Sequence, residues 1–133
     1  MMGDLIPYMK NMTAFRSRNA ATSREISFAE SELHLHFSEE YKKYLSEYGV
    51  ASVYGHEFTG IASSQRLNVV SVTQEERALS MDINPAWYVI EQTNIDGIVI
   101  WQDQSGNIYQ TAPSATTIKI ASSMLEYLSD TQT

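Results

Sequence analysis

Cysteine is absent from this sequence of 133 residues, which excludes disulfides, thiolate zinc sites and thiol nucleophiles. Prolines number only three, and no apolar run approaches the ~18 residues that a membrane-spanning helix needs. The N-terminal stretch lacks the long apolar segment of a secretory signal and carries Asp4 and Pro7 early. Since a chain without cysteine suits a reducing compartment, we expect a cytoplasmic protein that does not bind a membrane.

Basic residues are also scarce, because 9 Lys and Arg against 16 Asp and Glu give a net charge of −7. Residues 78–133 hold one basic residue, Lys119, and six carboxylates: Asp82, Glu91, Asp96, Asp103, Glu126 and Asp130. Such a surface repels a phosphate backbone, so nucleic acid is not an expected ligand. An acidic face suits a basic protein partner, although acidity is also common in cytoplasmic proteins because it favours solubility.

Capping patterns and apolar periodicity predict two helices in the first half. Ser27 and Glu30 have the spacing of a capping box, which predicts a helix that starts at Ser27. Ser38 predicts the N-cap of a second helix, whose apolar residues recur on one face over 41–48. Gly49 follows at the place where a helix end favours a left-handed residue.

The middle of the chain predicts short strands followed by a short helix. Residues 51–60 contain two short strand-like runs, and residues 67–72 contain a third. Thr73 and Glu76 repeat the capping-box spacing, which predicts a helix start at Thr73. Pro85 ends this helix, because the residue before a proline avoids the helical conformation.

Residues 87–111 give the clearest prediction, a β-meander. Three runs rich in β-branched and aromatic residues are separated by turn signals that end at Gly97 and Gly106. A last strand is predicted around 118–120 and a C-terminal helix over 123–128. The order of elements predicts an α+β fold, with helices packed on a mainly antiparallel, twisted sheet that contains the meander.

The length fits a single domain. We predict an N-terminal leader over residues 1–24, which contains a short helix or a linker, and one α+β domain over residues 25–133.

Two pairs of residues are candidates for metal binding or catalysis, and neither pair has the geometry that such a role needs. His34 and His36 would point about 200° apart on a helix, so they could share a metal ion only on a strand. His56 and Glu57 would point to opposite faces of a strand, so they would not act on one substrate. We therefore predict no catalytic residue, no metal site and no cofactor, and a protein that is not an enzyme.

Aromatic residues of the meander are candidates for a protein contact. By alternation Val99, Trp101 and Asp103 share one face of a strand, whereas Ile98 and Ile100 share the other. The sequence leaves open which face meets the helices, so Trp101 either packs in the core or anchors a partner. On the second reading we predict a partner-binding rim of Glu91, Asp96, Trp101, Asp103 and Tyr109.

A spaced pattern in the first half resembles the SUKH superfamily. The pattern begins at Glu30, continues as FSEEYKKYL over 37–45 and YG over 48–49, and ends as GHEFTG over 55–60. The resemblance extends more weakly to about residue 129. Its signature positions, which it implies to be structural, are Glu30, Tyr41, Gly49, Glu57 and Gly60. Two positions depart from the family pattern, since Ser38 replaces a usual proline and Val50 replaces a usual second glycine.

The resemblance implies a function in protein binding without catalysis. Many SUKH domains are bacterial immunity proteins that bind and neutralise toxin domains, often nucleases, and fungal members resemble regulators of cell-wall assembly. The resemblance therefore implies an immunity protein whose partner is a basic toxin domain. The alternative is a regulatory or scaffold module that binds another cellular protein.

Overall fold

A computed structural model describes residues 4–80 and 82–130 of the protein. Within these ranges there are five helices: α1 (Leu5–Lys10), α2 (Ser23–Leu33), α3 (Glu39–Tyr48), α4 (Val69–Leu79) and α5 (Met124–Asp130). The strands are β1 (Arg16–Ser17), β2 (Ala51–Val53), β3 (His56–Glu57), β4 (Tyr88–Gln92), β5 (Val99–Gln102), β6 (Ile108–Thr111) and β7 (Ile118–Ala121). None of the described helices is long and apolar enough to cross a bilayer. The ends of the predicted leader and domain, residues 1–3 and 131–133, lie outside the described residues.

The strands form two antiparallel sheets, with the orders β1-β2-β3 and β4-β5-β6-β7. The second sheet is the predicted meander, to which β7 adds a fourth strand. An isolated bridge between Phe58 and Glu91 joins the segment after β3 to β4. The predicted α+β fold, with a β-meander in an antiparallel sheet, is therefore confirmed.

Local signals determine α3 as predicted. The Oγ atom of Ser38 accepts a hydrogen bond from the N–H of Tyr41 at 3.0 Å, which confirms the N-cap. The apolar residues of the predicted stripe within 41–48 are buried. Gly49 ends the helix with a φ of 70°, in the left-handed half of the backbone map.

Helix α2 begins earlier than predicted. The hydroxyl of Thr22 accepts from the N–H of Glu25 at 3.1 Å, and the Glu25 carboxylate accepts from the N–H of Thr22 at 2.9 Å. The predicted start at Ser27 is wrong, because this capping box lies nearer the N-terminus and places Ser27 inside the helix. The helix ends at Leu33, after which His34 has a φ of 55°.

The predicted strand over 67–72 and the predicted helix start at Thr73 are both wrong, because α4 covers most of this segment. Asn68 is the N-cap, and its Oδ1 accepts from two backbone N–H groups of the first turn. Thr73 lies inside the helix, where its hydroxyl accepts from the N–H of Val89 at 3.0 Å. A run of β-branched residues is compatible with a strand or with a buried helix. Here the run forms a helix, which packs against β4.

The segment before residue 25 packs onto the rest of the fold. Leu5 and Met9 of α1 belong to the main core, and β1 pairs with β2. The hydroxyl of Tyr48 donates to the carbonyl oxygen of Ile6 at 2.7 Å. The predicted boundary between residues 24 and 25 falls within α2.

Apolar residues are buried on both faces of the meander sheet. The main cluster includes Tyr88, Ile90, Ile100 and Ile108, which face residues of α1, α2, α3 and α5. A second, smaller cluster consists of Val72, Val89, Val99 and Trp101, and it places α4 against the opposite face. That opposite face, away from the main core, is called the outer face below.

Candidate functional site

The pairing of the meander strands brings several predicted contact residues onto the outer face. Val89 pairs with Trp101, and Trp101 pairs with Tyr109, so these side chains form one cross-strand row. Tyr109 pairs in turn with Lys119 of β7. Of the two faces that the sequence left open for Trp101, the structure shows the outer one.

Trp101 is nevertheless not available to a partner, because it is completely buried. It packs with Val72 of α4, and its Nε1 donates to the hydroxyl of Thr111 at 2.9 Å. The part of the prediction that used Trp101 as an exposed anchor is corrected. Helix α4 covers this position, whereas the sequence predicted a strand up to residue 72 and a helix only from Thr73.

A stacked pair of aromatic rings lies at the margin of the same face. The rings of Trp87 and Tyr109 stack with centroids 3.9 Å apart and an interplanar angle of 8°. The hydroxyl of Tyr109 donates to Asp103 Oδ2 at 2.9 Å, and Asp103 also accepts from the N–H of Asn107. Partial burial, and next the Asp103 carboxylate, raise the pKa of the Tyr109 phenol. Trp87 was not among the predicted contact residues. Its spacing of two from Val89 could have placed it on this face.

A groove of about 440 Å³ continues this face between the end of α4 and the turns after β4 and β6. Val99 and Thr111 line the groove, and Thr111 also contacts Trp101, so the groove adjoins the aromatic row. Leu79 lines it and is 77% exposed. Ile95, which is 62% exposed, lies in the adjacent turn. Large apolar side chains at such exposure are typical of contact surfaces when they cluster.

The charges around this groove are mainly negative. Asp96 is exposed in the turn that contains Ile95, and Asp103 is half-buried at the other end of the strands. Glu76 of α4 lines the groove and accepts from Gln92 Nε2 at 2.7 Å. Lys119 is a cation on the same face. The outer face therefore combines carboxylates with exposed apolar side chains.

Glu91 does not belong to this face, because a β-bulge changes the alternation of β4. The register shifts between Val89 and Glu91, and Glu91 pairs with Ile100 on the core side. Glu91 is 3% exposed. Its carboxylate accepts from the hydroxyl of Tyr127 at 2.6 Å, and both carboxylate oxygens lie 3.1 Å from His56 Nδ1. The prediction of Glu91 in a partner-binding rim is therefore wrong.

His56 and Glu57 of β3 engage different partners, as alternation predicted. His56 faces Glu91, and its ring stacks on Phe58 with centroids 5.7 Å apart. Glu57 accepts from both terminal nitrogens of Arg66. These hydrogen bonds lower the pKa of the Glu57 carboxyl. The two side chains thus stabilise separate parts of the fold.

The other signature residues have structural contacts as well. A carboxylate oxygen of Glu30 accepts from the N–H of Phe37 at 2.8 Å, so Glu30 fixes the segment between α2 and α3. The hydroxyls of Tyr41 and Thr59 lie 2.9 Å apart in the core. Gly49 and Gly60 approach each other closely, and the carbonyl oxygen of Gly49 accepts from the N–H of the residue after Gly60 at 2.9 Å.

The histidines near the end of α2 lie on the surface. His34 is exposed and takes the left-handed conformation after α2, and His36 is 3.9 Å from Glu30. Among the described residues, no group of three or more His, Cys, Asp or Glu side chains has a geometry that could hold a metal ion.

Comparison with known proteins identifies the family. No curated protein matches the sequence. The SUKH_5 family model, described as "SMI1-KNR4 cell-wall", matches residues 2–132. The match includes α1 and β1, which precede the part of the chain that carries the resemblance to SUKH domains. The chain therefore belongs to the SUKH_5, SMI1-KNR4 cell-wall family.

Proposed function

We propose that this protein is an immunity protein that binds a basic toxin domain and neutralises it without catalysis. The observation that carries the proposal is the outer face, where Glu76 and the exposed Leu79 line a groove and the exposed Ile95 and Asp96 lie in the turn beside it. Membership in the family is compatible with an immunity-like or regulatory domain.

The electrostatics support a basic partner. Asp96 and Asp103 lie at opposite ends of the meander strands, and Glu76 lies in the groove between α4 and the sheet. A nuclease must present a basic cleft to its phosphate substrate, and carboxylates on an inhibitor accelerate its encounter with such a cleft. Leu79 and Ile95 would then supply the apolar contacts that slow dissociation.

The partner to test is a toxin-like domain encoded by a gene that neighbours the gene of this protein. We expect its association rate with the wild-type chain to fall steeply with salt, because exposed charges are screened beyond ~8 Å at physiological ionic strength. The variant Asp96→Asn/Asp103→Asn should associate more slowly by about fivefold at low salt. The matched control Glu32→Gln/Glu47→Gln removes two exposed carboxylates from α2 and α3 and should associate normally. Salt-independent association, or equal effects of the two variants, would contradict this contact face.

Stoichiometry separates an inhibitor from an enzyme. A binding protein should abolish toxin activity at about one molecule per toxin molecule when both are well above the dissociation constant. An enzyme that modifies the toxin would act at much lower ratios and would show turnover. Inhibition at a small fraction of the toxin concentration would therefore overturn the proposal.

A second candidate function is suggested by the words "cell-wall" in the description of the family. On that reading the same outer face binds another cellular protein as a regulatory or scaffold module. Binding to a cell-wall assembly factor, together with no binding to the toxin-like domain, would favour this second function.

A further inference from the structure

The small sheet carries a second surface, which presents two arginines. The strand register places Arg16, Ser52 and Glu57 in one cross-strand row. The N–H of Arg18 donates to the carbonyl oxygen of Val50 at 3.0 Å, which extends the pairing. Because residues two apart in a strand share a face, Arg16 and Arg18 lie on the same face as Glu57.

This face borders an elongated groove. Two depressions of about 210 Å³ and 340 Å³ share Arg18, Val50 and Leu67 as lining residues, so they adjoin each other. One wall follows residues 16–21, and the other contains residues 61–67. Residues 16–20 are all exposed. The groove therefore has the length of an extended segment of about six residues.

The charged residues that line this groove are Arg16, Arg18, Glu25 and Glu57. The Glu25 carboxylate accepts from the N–H of Thr22 in the capping box of α2. Glu57 is bound by Arg66, so its charge is compensated within the fold. Neither Arg16 nor Arg18 makes an ion pair with any of the described residues. Two guanidinium groups thus remain to bind anions, and guanidinium forms strong, directional hydrogen bonds with carboxylates.

The lining is mixed rather than uniformly polar. Val50, Leu67 and Ile61 supply apolar surface between the arginines and the loop that follows β3. A segment that alternates acidic and apolar residues would satisfy both parts of this lining.

We propose that the groove between residues 16–21 and 61–67 binds an extended acidic peptide segment of a protein partner, with carboxylates on Arg16 and Arg18. This site is separate from the outer face and does not depend on the proposed immunity function. It adds an acidic ligand to a protein whose outer face suits a basic one.

The test uses the full chain labelled with ¹⁵N and the synthetic peptide acetyl-EVEVEV-amide. Titration should shift the backbone amide signals of residues 16–20 and 61–67, and acetyl-KVKVKV-amide should leave them unchanged. Arg16→Glu/Arg18→Glu should weaken binding of the acidic peptide by at least about tenfold. The control Arg24→Glu/Lys43→Glu, which reverses two exposed cations on α2 and α3, should bind within about twofold of wild type.

Three results would overturn the proposal. These are the absence of shifts at the groove, equal effects of the two charge reversals, and identical shifts caused by inorganic phosphate alone. Urea unfolding of each variant verifies that the fold is intact. Unchanged inhibition of the toxin domain by Arg16→Glu/Arg18→Glu would show that this site and the outer face act independently.

Discussion

Gly49 and Gly60 show how single residues permit the close approach of two backbone segments. A Cβ atom at Gly49 would overlap the carbonyl oxygen of Asn19, and the φ of Gly49 is 70°. A Cβ atom at Gly60 would overlap the carbonyl oxygen of Gly49 itself. Both residues are signature positions, so their conformational freedom and small size explain this part of the pattern.

Alanine substitutions distinguish the two reasons for a glycine at position 49, which are its positive φ and the close approach of another backbone segment. Gly55 also has a positive φ, 82°, but no atom would lie within 4 Å of a Cβ there. We expect Gly55→Ala to cost about 1 kcal/mol from backbone strain alone. Gly49→Ala should cost at least about 2 kcal/mol more, because it adds overlap with a backbone atom, and Gly49→Val should cost still more. Urea unfolding measures both, and equal costs would contradict the close approach.

Glu91 and Glu57 each contact a basic side chain, but the two contacts differ greatly in burial. The contact of Glu91 with His56 is buried, whereas that of Glu57 with Arg66 is largely exposed. We expect Glu91→Ala to destabilise the fold by about 3 kcal/mol, because it leaves the Tyr127 hydroxyl and His56 without this carboxylate. Glu57→Ala should change the urea midpoint little, since water replaces an exposed ion pair. Similar midpoint shifts in the two variants would show that burial does not control these contacts.

The position of Glu91 could not be predicted from the sequence, for a physical reason. Strict alternation from Val89 places Glu91 on the outer face, but a bulge adds one residue to β4. The bulge occurs where Phe58 bridges to Glu91, which is a contact between distant parts of the chain. The same rule correctly grouped Trp101 with Val99 on one face, because β5 pairs with β6 without a register shift.

At the scale of elements, local signals predicted α3 and the meander. The Ser38 cap, the stripe over 41–48 and Gly49 act within one segment, and the turns at Gly97 and Gly106 have positive φ. The first turn of α4 was predicted as a strand, because its β-branched residues are as common in strands. Val69 and Val72 are buried at helical spacing, and only the neighbouring strand β4 shows that they face a core.

The start of α4 gives a test of this element. Asn68 accepts from two N–H groups of the first turn, and its Nδ2 donates to the carbonyl oxygen of Ala62 at 2.8 Å. We expect Asn68→Ala to lower the free energy of unfolding by about 1.5 kcal/mol. Ser64→Ala is the matched control, because Ser64 precedes the 3₁₀ turn Gln65–Leu67 without a side-chain cap. A loss as large in Ser64→Ala would contradict the role of Asn68.

At the scale of the whole molecule, opposite charges are distributed on two surfaces. The outer face carries Asp96 and Asp103, and the groove beside β1 carries Arg16 and Arg18. The sequence predicted the acidic part because its carboxylates follow one another between residues 78 and 133. The groove that Arg16 and Arg18 line was not predicted, because it forms only when β1, β2 and the segment 61–67 come together.

The tyrosines of the core make the whole fold sensitive to alkaline pH. Tyr41, Tyr44 and Tyr88 are fully or almost fully buried, and burial raises the pKa of each phenol well above its usual value. Their hydroxyls are hydrogen-bonded inside the protein, to Thr59, to the N–H of Ala51 and to Gln102 among others. The protonated phenol is therefore the form that the folded state favours.

The sign of the pH dependence follows from this difference between the folded and unfolded states. Below about pH 10 the phenols are protonated in both states, so the contribution of these tyrosines to stability is fully present. Above about pH 10 the unfolded chain loses protons that the folded chain retains. The free energy of unfolding should then fall by about 1.4 kcal/mol per pH unit for each such tyrosine. Urea unfolding at a series of pH values between 8 and 11 measures this slope.

Two phenylalanine variants make the measurement specific. Tyr44→Phe removes one buried phenol, so the loss of stability with pH above 10 should be less steep by about 1.4 kcal/mol per pH unit. Its stability at pH 8 should also be lower, because the hydroxyl of Tyr44 donates to the carbonyl oxygen of Thr59 and accepts from Ala51. Tyr54→Phe changes a side chain that is 73% exposed and should leave the slope unchanged. Ionisation of Tyr44, followed as the difference in tyrosinate absorbance between the wild-type chain and Tyr44→Phe, should coincide with unfolding; a difference that develops while tryptophan fluorescence still reports a folded chain would contradict the prediction.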